Sequence, residues 1–208
     1  MRIKSWSLFL FNLALAATPI ANAQQQTIDE RHRVPPIDVA ATFTTERTKT
    51  VRGDCGCFWL QGGTAEANIH VFRNFSAAVA LTGSHAGNII PGLDVTQIAV
   101  MAGPRYSYGT SRWTNRVFSE RRHTNIFGEV LFGGVHAVDG MYPSSTTLKT
   151  NATAFSFQAG GGLNISLARG FGVRAIELDY LRTSLPNGTT DSQHDLRLAF
   201  GMTYRLHR

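Results

Sequence analysis

Asp195-Leu196-Arg197-Leu198-Ala199-Phe200-Gly201-Met202-Thr203-Tyr204-Arg205-Leu206, near the end of the chain, is the stretch that decides the fold. In an extended strand, successive side chains point to opposite faces. Leu196, Leu198, Phe200, Met202, Tyr204 and Leu206 then share one face, and Arg197, Ala199, Gly201, Thr203 and Arg205 share the other. The first face is apolar throughout. The second holds small residues and two guanidiniums. A strand lying on a soluble core would turn the Arg/Gly/Thr face to water. A transmembrane barrel strand reverses this, with the apolar face on lipid and the small, polar face filling the lumen.

The same alternation recurs upstream. It predicts strands over about 37–48, 57–70, 75–84, 95–109, 122–138, 152–168 and 171–183, with the eighth over 192–206. In the sixth, Phe155, Phe157, Ala159, Leu163, Ile165 and Leu167 oppose Ser156, Gln158, Gly160, Gly162, Asn164 and Ser166. In the seventh, Ile176, Leu178 and Tyr180 oppose Ala175, Glu177 and Asp179. Tight turns are expected at 71–74 and 169–170, and loops at 85–94, 139–151 and 184–191. Alternation of short and long connections is the pattern of outer-membrane barrels, short on the periplasmic side. The 109–121 segment is too long for a short turn. Either strands four and five project beyond the membrane, or the strand count is wrong there.

Residues 1–23 read as a secretory signal. Arg2 and Lys4 precede an apolar run from Trp6 to Ala17, and Ala21-Asn22-Ala23 is a small-x-small cleavage site. That run is too short to span a bilayer as a helix. Residues 24–36, closed by Pro35-Pro36, form a polar lead, and the barrel domain is expected over 37–206. Beyond the signal no apolar run approaches the length of a membrane helix, which excludes a helical membrane protein but not a barrel. The formal net charge of +6 is scattered, without a nucleic-acid motif. Beyond Lys4 the only lysines are Lys49 and Lys149, fewer than a soluble surface usually wears.

The pieces Leu163-Asn164-Ile165, Gly172-Val173-Arg174-Ala175, Leu178-Asp179-Tyr180-Leu181-Arg182 and Leu196 to Tyr204 together resemble the small bacterial outer-membrane β-barrels typified by the transmembrane domain of outer-membrane protein A. The resemblance implies an all-β, eight-stranded, antiparallel, up-and-down transmembrane barrel. It implies a structural, adhesive or loop-mediated binding role rather than an enzyme, with no cofactor and no metal. It also implies that Gly201, Tyr204 and Leu206, spaced at +3 and +5, form the signal read by the barrel-assembly machinery. Ala199 stands two residues before that glycine where such signals carry a polar residue, and His207-Arg208 follow where they end on an aromatic one. The partners implied are outer-membrane lipid, the assembly machinery and an extracellular or cell-wall ligand. No nucleic acid is expected.

The strand phases turn Glu66, Arg105, Glu129, Glu177, Asp179 and Arg197 into the lumen, with Arg205 as a further candidate. Isolated buried charges cost several kcal/mol or more, so these are expected to pair into a structural network. An eight-stranded barrel is just wide enough for its side chains to fill it. A gated ion path is the competing reading. Cys55-Gly56-Cys57 is a candidate loop disulfide, with free thiols or metal and redox work as alternatives. Two thiolates fall short of a zinc site. A lipid-modifying hydrolase on the same barrel would need a nucleophile, a base and an acid within hydrogen-bond reach. Ser84-His85 are adjacent and so point to opposite faces. Arg112, Arg116, Arg121 and Arg122 are either a solvated turn or a contact for anionic lipid or cell-wall polymer. A soluble periplasmic barrel of the lipocalin kind, with its apolar face inside, is the third class.

Overall fold

The computed structural model describes residues 37–49, 57–90, 93–114, 121–140, 142–143, 148–168, 170–186 and 191–206. Ten strands follow in chain order: β1 (Ile37–Lys49), β2 (Cys57–Phe72), β3 (Phe75–Ile90), β4 (Leu93–Thr114), β5 (Arg121–Val138), β6 (Tyr142–Pro143), β7 (Leu148–Lys149), β8 (Ala152–Ala168), β9 (Phe171–Thr183) and β10 (Gln193–Leu206). Eight of them close an antiparallel barrel in the order β1-β10-β9-β8-β5-β4-β3-β2. Each barrel strand pairs with its neighbour in sequence, and β1 meets β10 from Ile37↔Leu206 to Arg47↔Leu196. Closure leaves no unpaired edge. The eight-stranded, up-and-down, antiparallel architecture is the one the alternation predicts.

The side-chain phase follows the opening stretch. On β10, Asp195, Arg197 and Ala199 are buried, while Leu196, Phe200 and Met202 are exposed, Met202 at 70%. On β1, Ala40, Thr42, Thr44, Glu46 and Thr48 point inward and Phe43 outward. Phe127 and Leu131 are large for a barrel interior, yet both are buried. The lumen makes room for Phe127 with the run Gly160-Gly161-Gly162. A Cβ on Gly162 would come within 3.0 Å of the Phe127 ring, and one on Gly160 within 2.0 Å of Asp179 Oδ1.

Three connections differ from expectation. Residues 85–90 continue β3 and β4 restarts at Leu93, so the 85–94 loop contracts to a hairpin end; Ala86 and Val95 pack inward with Leu60 and keep the strands extended. The 139–151 loop contains a two-stranded ribbon, Tyr142↔Lys149 and Pro143↔Leu148. Within the 109–121 segment, residues 109–114 continue β4 and pair with β5 as far as Thr114↔Arg121. The strand count of eight in the barrel holds. By contrast, the β2–β3 turn is two residues, Arg73-Asn74, and the β8–β9 turn uses Gly170 at φ 88°, a left-handed conformation that favours glycine. These turns, the paired ends of β4 and β5 at Thr114↔Arg121, the start of β1 and the end of β10 share one end of the barrel, called here the turn end. The longer connections share the other, the loop end.

Several inward glycines sit where strands approach most closely. A Cβ on Gly133 would lie 1.9 Å from Val100 O and 2.8 Å from Met101 Cα, both backbone. Gly83 has nothing within 4 Å of its Cβ position. Gly133→Ala should therefore part β4 from β5 and cost about 1–3 kcal/mol. Gly83→Ala should be close to neutral. Urea unfolding midpoints of the two variants test this contrast, and equal midpoints would sink it.

Candidate functional site

The lumen is where sequence and structure concentrate chemistry. Among the described residues, Glu46, Glu66, Glu129, Glu177, Asp179, Asp195, Arg105, Arg174 and Arg197 are buried. All six residues that the sequence analysis assigned to the lumen are there. Glu66 on β2, Arg105 on β4, Glu129 on β5 and Glu177 on β9 meet at one centre. Arg105 donates from Nη1 to Glu66 Oε1 at 2.5 Å and from Nε to Glu129 Oε2 at 2.8 Å. Gln158 Nε2 donates to Glu129 Oε1 at 3.2 Å, and Asn68 Nδ2 to Glu66 Oε1 at 2.6 Å.

The second guanidinium at this centre belongs to Arg174, which strict alternation along β9 does not turn inward. Its Nη1 reaches Glu66 Oε2 at 3.0 Å and Glu177 Oε2 at 2.9 Å. Its Nη2 reaches Glu66 Oε1 at 2.9 Å, and its Nε donates to Asn164 at 3.2 Å. Counting back from Glu177 places Ala175 inside. The structure has a β-bulge there, where β10 pairs Ala199 with Glu177 but Gly201 with Arg174. Ala175 and Ile176 both face out, and Arg174 swings into the lumen. A bulge inserts one residue and inverts the phase beyond it. Ala175 as an inward residue is thereby corrected.

Phe127 is the floor of this centre. The Arg105 and Arg174 guanidinium carbons stand 4.0 and 4.6 Å from its ring centroid. Burial strengthens such cation–π contacts. Oxygens of Glu66, Glu129 and Glu177 come within 4.8 Å of one another. Arg105 and Arg174 bridge these carboxylates in pairs, and that bridging accounts for the spacing. Forked guanidiniums are suited to holding two carboxylates at once.

Arg197 does not join that centre. It pairs with Glu46, which faces it directly across the β1–β10 seam, from Nη2 to Oε2 at 3.1 Å, and it donates to Gln158 Oε1 at 3.1 Å. Glu46 lies two residues beyond Thr44 on the same inward phase of β1 and was not among the lumenal charges expected. Asp195 follows the same odd phase as Arg197. Asp179 lies opposite Arg197 in register, and its Oδ1 has no hydrogen-bond partner among the described residues. Arg205 is not lumenal. It forms a forked pair with Asp38 at the turn-end rim, with the two side chains 51% and 42% exposed.

Towards the loop end the lumen becomes two-sided. Ala78, Ala80, Ala99, Met101, Leu131, Val135 and Ala137 of β3–β5 form an apolar wall, joined by Tyr142 and Leu185 from the connections. Ser156, on β8 beside β5, sets its hydroxyl 3.6 Å from Met101 Sδ, and Thr183 and the Glu46–Arg197 pair line the lumen on β9, β1 and β10. Leu185 is wholly buried, and the hydrogen bond from Ser184 N to Phe155 O at 3.0 Å anchors its segment. Burial pushes the Tyr142 phenol up to about 12, so this cap is uncharged at neutral pH.

The remaining candidates lie on the wall or the rims. Gly201 is at the seam, its Cβ position 2.1 Å from Ala41 O. Tyr204 packs on Phe171 at 4.6 Å between centroids, and Leu206 is exposed. Cys57 opens β2; Cys55 lies outside the described residues, as does the signal segment. His85 bonds Thr96 at 2.9 Å on the outside, while Ser84 faces in. At the loop end His194 Nε2 is 3.3 Å from Ser192 Oγ, and its Nδ1 bonds the Tyr180 hydroxyl. A phenol, not a carboxylate, thus orients this imidazole.

The outer wall is a belt of large apolar side chains, among them Phe43, Val79, Leu81, Ile98, Val100, Ile126, Phe132, Phe155, Leu178 and Phe200. Aromatic pairs mark its turn-end border, with Phe75 and Tyr106 at 5.1 Å beside the Phe171–Tyr204 pair.

No family model and no curated protein matches the chain. Solved structures do. The Neisserial surface protein A (NspA) is similar with a TM-score of 0.58 at 11% identity, over 82% of this chain and 97% of that one. Ail, the attachment invasion locus protein of Yersinia pestis, solved with the heparin analogue sucrose octasulfate, is similar with a TM-score of 0.51 at 14% identity, over 83% and 99% of the two chains. The fold of this chain is therefore that of the small eight-stranded outer-membrane β-barrels.

Proposed function

We propose that this chain is an exported bacterial outer-membrane barrel with a structural, adhesive or loop-mediated binding role. The observation that carries the reading is the inversion of polarity: charges and amides fill the inside, and an apolar belt covers the outside. Soluble monomers rarely expose contiguous apolar surface beyond a few hundred Å². Hydrocarbon is the solvent that suits such a belt. The lipocalin-like alternative requires the opposite phase on every strand.

In this reading the lumen is a filled core that holds the wall rigid, and the loop end carries specificity. The Glu66–Arg105–Glu129–Arg174–Glu177 centre and the Tyr142–Leu185 cap fill successive levels of the interior. Residues 1–23 serve export, and Gly201, Tyr204 and Leu206 serve recognition by the assembly machinery. Nδ1 of His194 meets the Tyr180 hydroxyl, where a hydrolase triad would set a carboxylate. Ail, a barrel of the same fold, was solved with a sulfated heparin analogue. A polyanionic extracellular partner is thus one class worth screening at the loop end here.

Fractionation with bilayer recording tests the proposal. The protein should sediment with outer membranes, need detergent for release and show heat-modifiable gel migration. In planar bilayers it should give no steady current. Recovery from the soluble periplasm would overturn the membrane reading, and a steady ion-selective current would overturn the filled core.

A further inference from the structure

Each of the four strand pairs joined at the loop end carries an outward cross-strand pair of similar chemistry. Arg47 of β1 faces Trp59 of β2, and His85 of β3 faces Thr96 of β4. His136 of β5 faces Thr153 of β8, and Arg182 of β9 faces His194 of β10. Every barrel strand contributes one residue, so imidazoles and guanidiniums encircle the wall. Their side chains point away from the lumen: Arg47, Trp59, His85, His136, Arg182 and His194 are all exposed. Two residues nearer the turn end on the same faces stand Ile98, Phe155, Tyr180 and Leu196, members of the exposed apolar belt. The ring therefore marks the loop-end border of that belt.

Neighbouring side chains hold these groups in place. Thr96 Oγ1 lies 2.9 Å from His85 Nδ1, and Thr153 Oγ1 lies 2.7 Å from His136 Nδ1. Arg182 Nε donates to Ser192 Oγ at 3.2 Å, and the Tyr180 hydroxyl bonds Nδ1 of His194. The ring itself contains no acid. Glu46 and Asp195, next to it in sequence, are buried in the lumen, and Asp94, Asp139 and Asp191 lie on its loop side.

We propose that this ring binds the phosphate groups of lipid headgroups in the loop-end leaflet. A ring that passes round all eight strands is met in full only by a partner that surrounds the barrel. In a membrane that partner is the annulus of lipid, whereas a protein or a soluble ligand would cover one sector. Height agrees, because the ring adjoins the belt directly and so stands at headgroup level. Arginine forks onto phosphate oxygens, and imidazole N–H groups are further donors. The proposal rests on the outer-membrane reading above.

Trp59 stands in the ring beside Arg47 and serves as the reporter. In the mature chain Trp113→Phe leaves it the only tryptophan. This protein is refolded into phosphatidylcholine vesicles, where lipids with brominated chains compete for contact with Trp59 and quench its fluorescence. Brominated phosphatidic acid should outcompete brominated phosphatidylcholine about five-fold, the effect of one arginine at a headgroup. Brominated diacylglycerol succinate, which carries a carboxylate and no phosphate, should gain much less. Arg47→Gln should bring the two phospholipids to parity while brominated phosphatidylcholine still quenches, which shows that the variant is inserted. Parity in the parent protein, an unchanged preference in Arg47→Gln, or an equal gain from the carboxylate lipid would each overturn the phosphate ring. Failure of the membrane reading looks different: no brominated lipid would quench Trp59, and heat-modifiable migration would be absent.

Discussion

Replacing Arg174 by leucine is expected to cost the barrel about 3–5 kcal/mol, the range seen when one partner of a buried ion pair is removed. The loss arises because Arg174 is the only cation donating to Glu177 among the described residues, and it shares Glu66 with Arg105. Leucine would leave Glu177 buried without a guanidinium donor and Glu66 with only Arg105 and Asn68, and would remove one of the two guanidiniums from the Phe127 ring. Arg174→Lys keeps the charge but not the fork and should fall between the two. Adding Glu177→Gln to Arg174→Leu should recover part of the loss by discharging the stranded acid. The comparison is Arg205→Leu, whose pair with Asp38 is half exposed and screened, so its cost should stay below about 1 kcal/mol. Unfolding in urea after refolding into phospholipid vesicles measures all four. Equal midpoints for the Arg174 and Arg205 variants would show that the central network does not support the barrel.

Val100→Arg is the second large effect. Val100 is half exposed on the outer wall, midway along β4 within the barrel, paired with Leu81 and Gly134. Arginine on the lipid face near the bilayer midplane costs about 2–4 kcal/mol, falling to about 0–1 kcal/mol near the interfaces. Val100→Arg should therefore impair refolding into vesicles far more than Phe75→Arg at the turn-end rim. A soluble barrel gives the opposite sign, since arginine would replace an exposed valine in water. A Val100→Arg protein that is as stable as wild type would remove the physical basis for a membrane-facing belt.

The fold was legible because two-residue periodicity survives wherever a strand separates two unlike solvents. Leu196 to Leu206 show it most clearly, and the same phase placed Glu66, Arg105, Glu129 and Arg197 inside. Arg174 was not legible. The bulge at Ala175-Ile176 breaks the period, and nothing in Gly172-Val173-Arg174-Ala175 marks where the extra residue enters. Glu46 was legible, since it lies on the inward phase of the strand predicted over 37–48, but it was not named among the lumenal charges. Arg197 was placed correctly, but its partner was not: register across the β1–β10 seam, invisible in either strand alone, chose Glu46. The 85–94 segment read as a loop because Asn88, Pro91 and Gly92 outweighed the weak alternation of small residues before them. The cap was missed for another reason. Tyr142 and Leu185 sit in polar, turn-rich stretches, where a single apolar side chain has no periodic neighbours to announce it.

The Glu46–Arg197 bridge joins residues 151 apart in sequence and lies on the last pair of strands to meet. Until that seam forms, the chain is an open sheet with a charged concave side and two unpaired edges. Hydrocarbon tolerates neither. The interaction that locks the finished wall thus also forbids its half-built precursors from residing in lipid. Insertion and closure must be a single event, or must take place where something else shelters the open edges. A chain lacking β10 would not be a slightly weaker barrel but one with no permitted place in the bilayer.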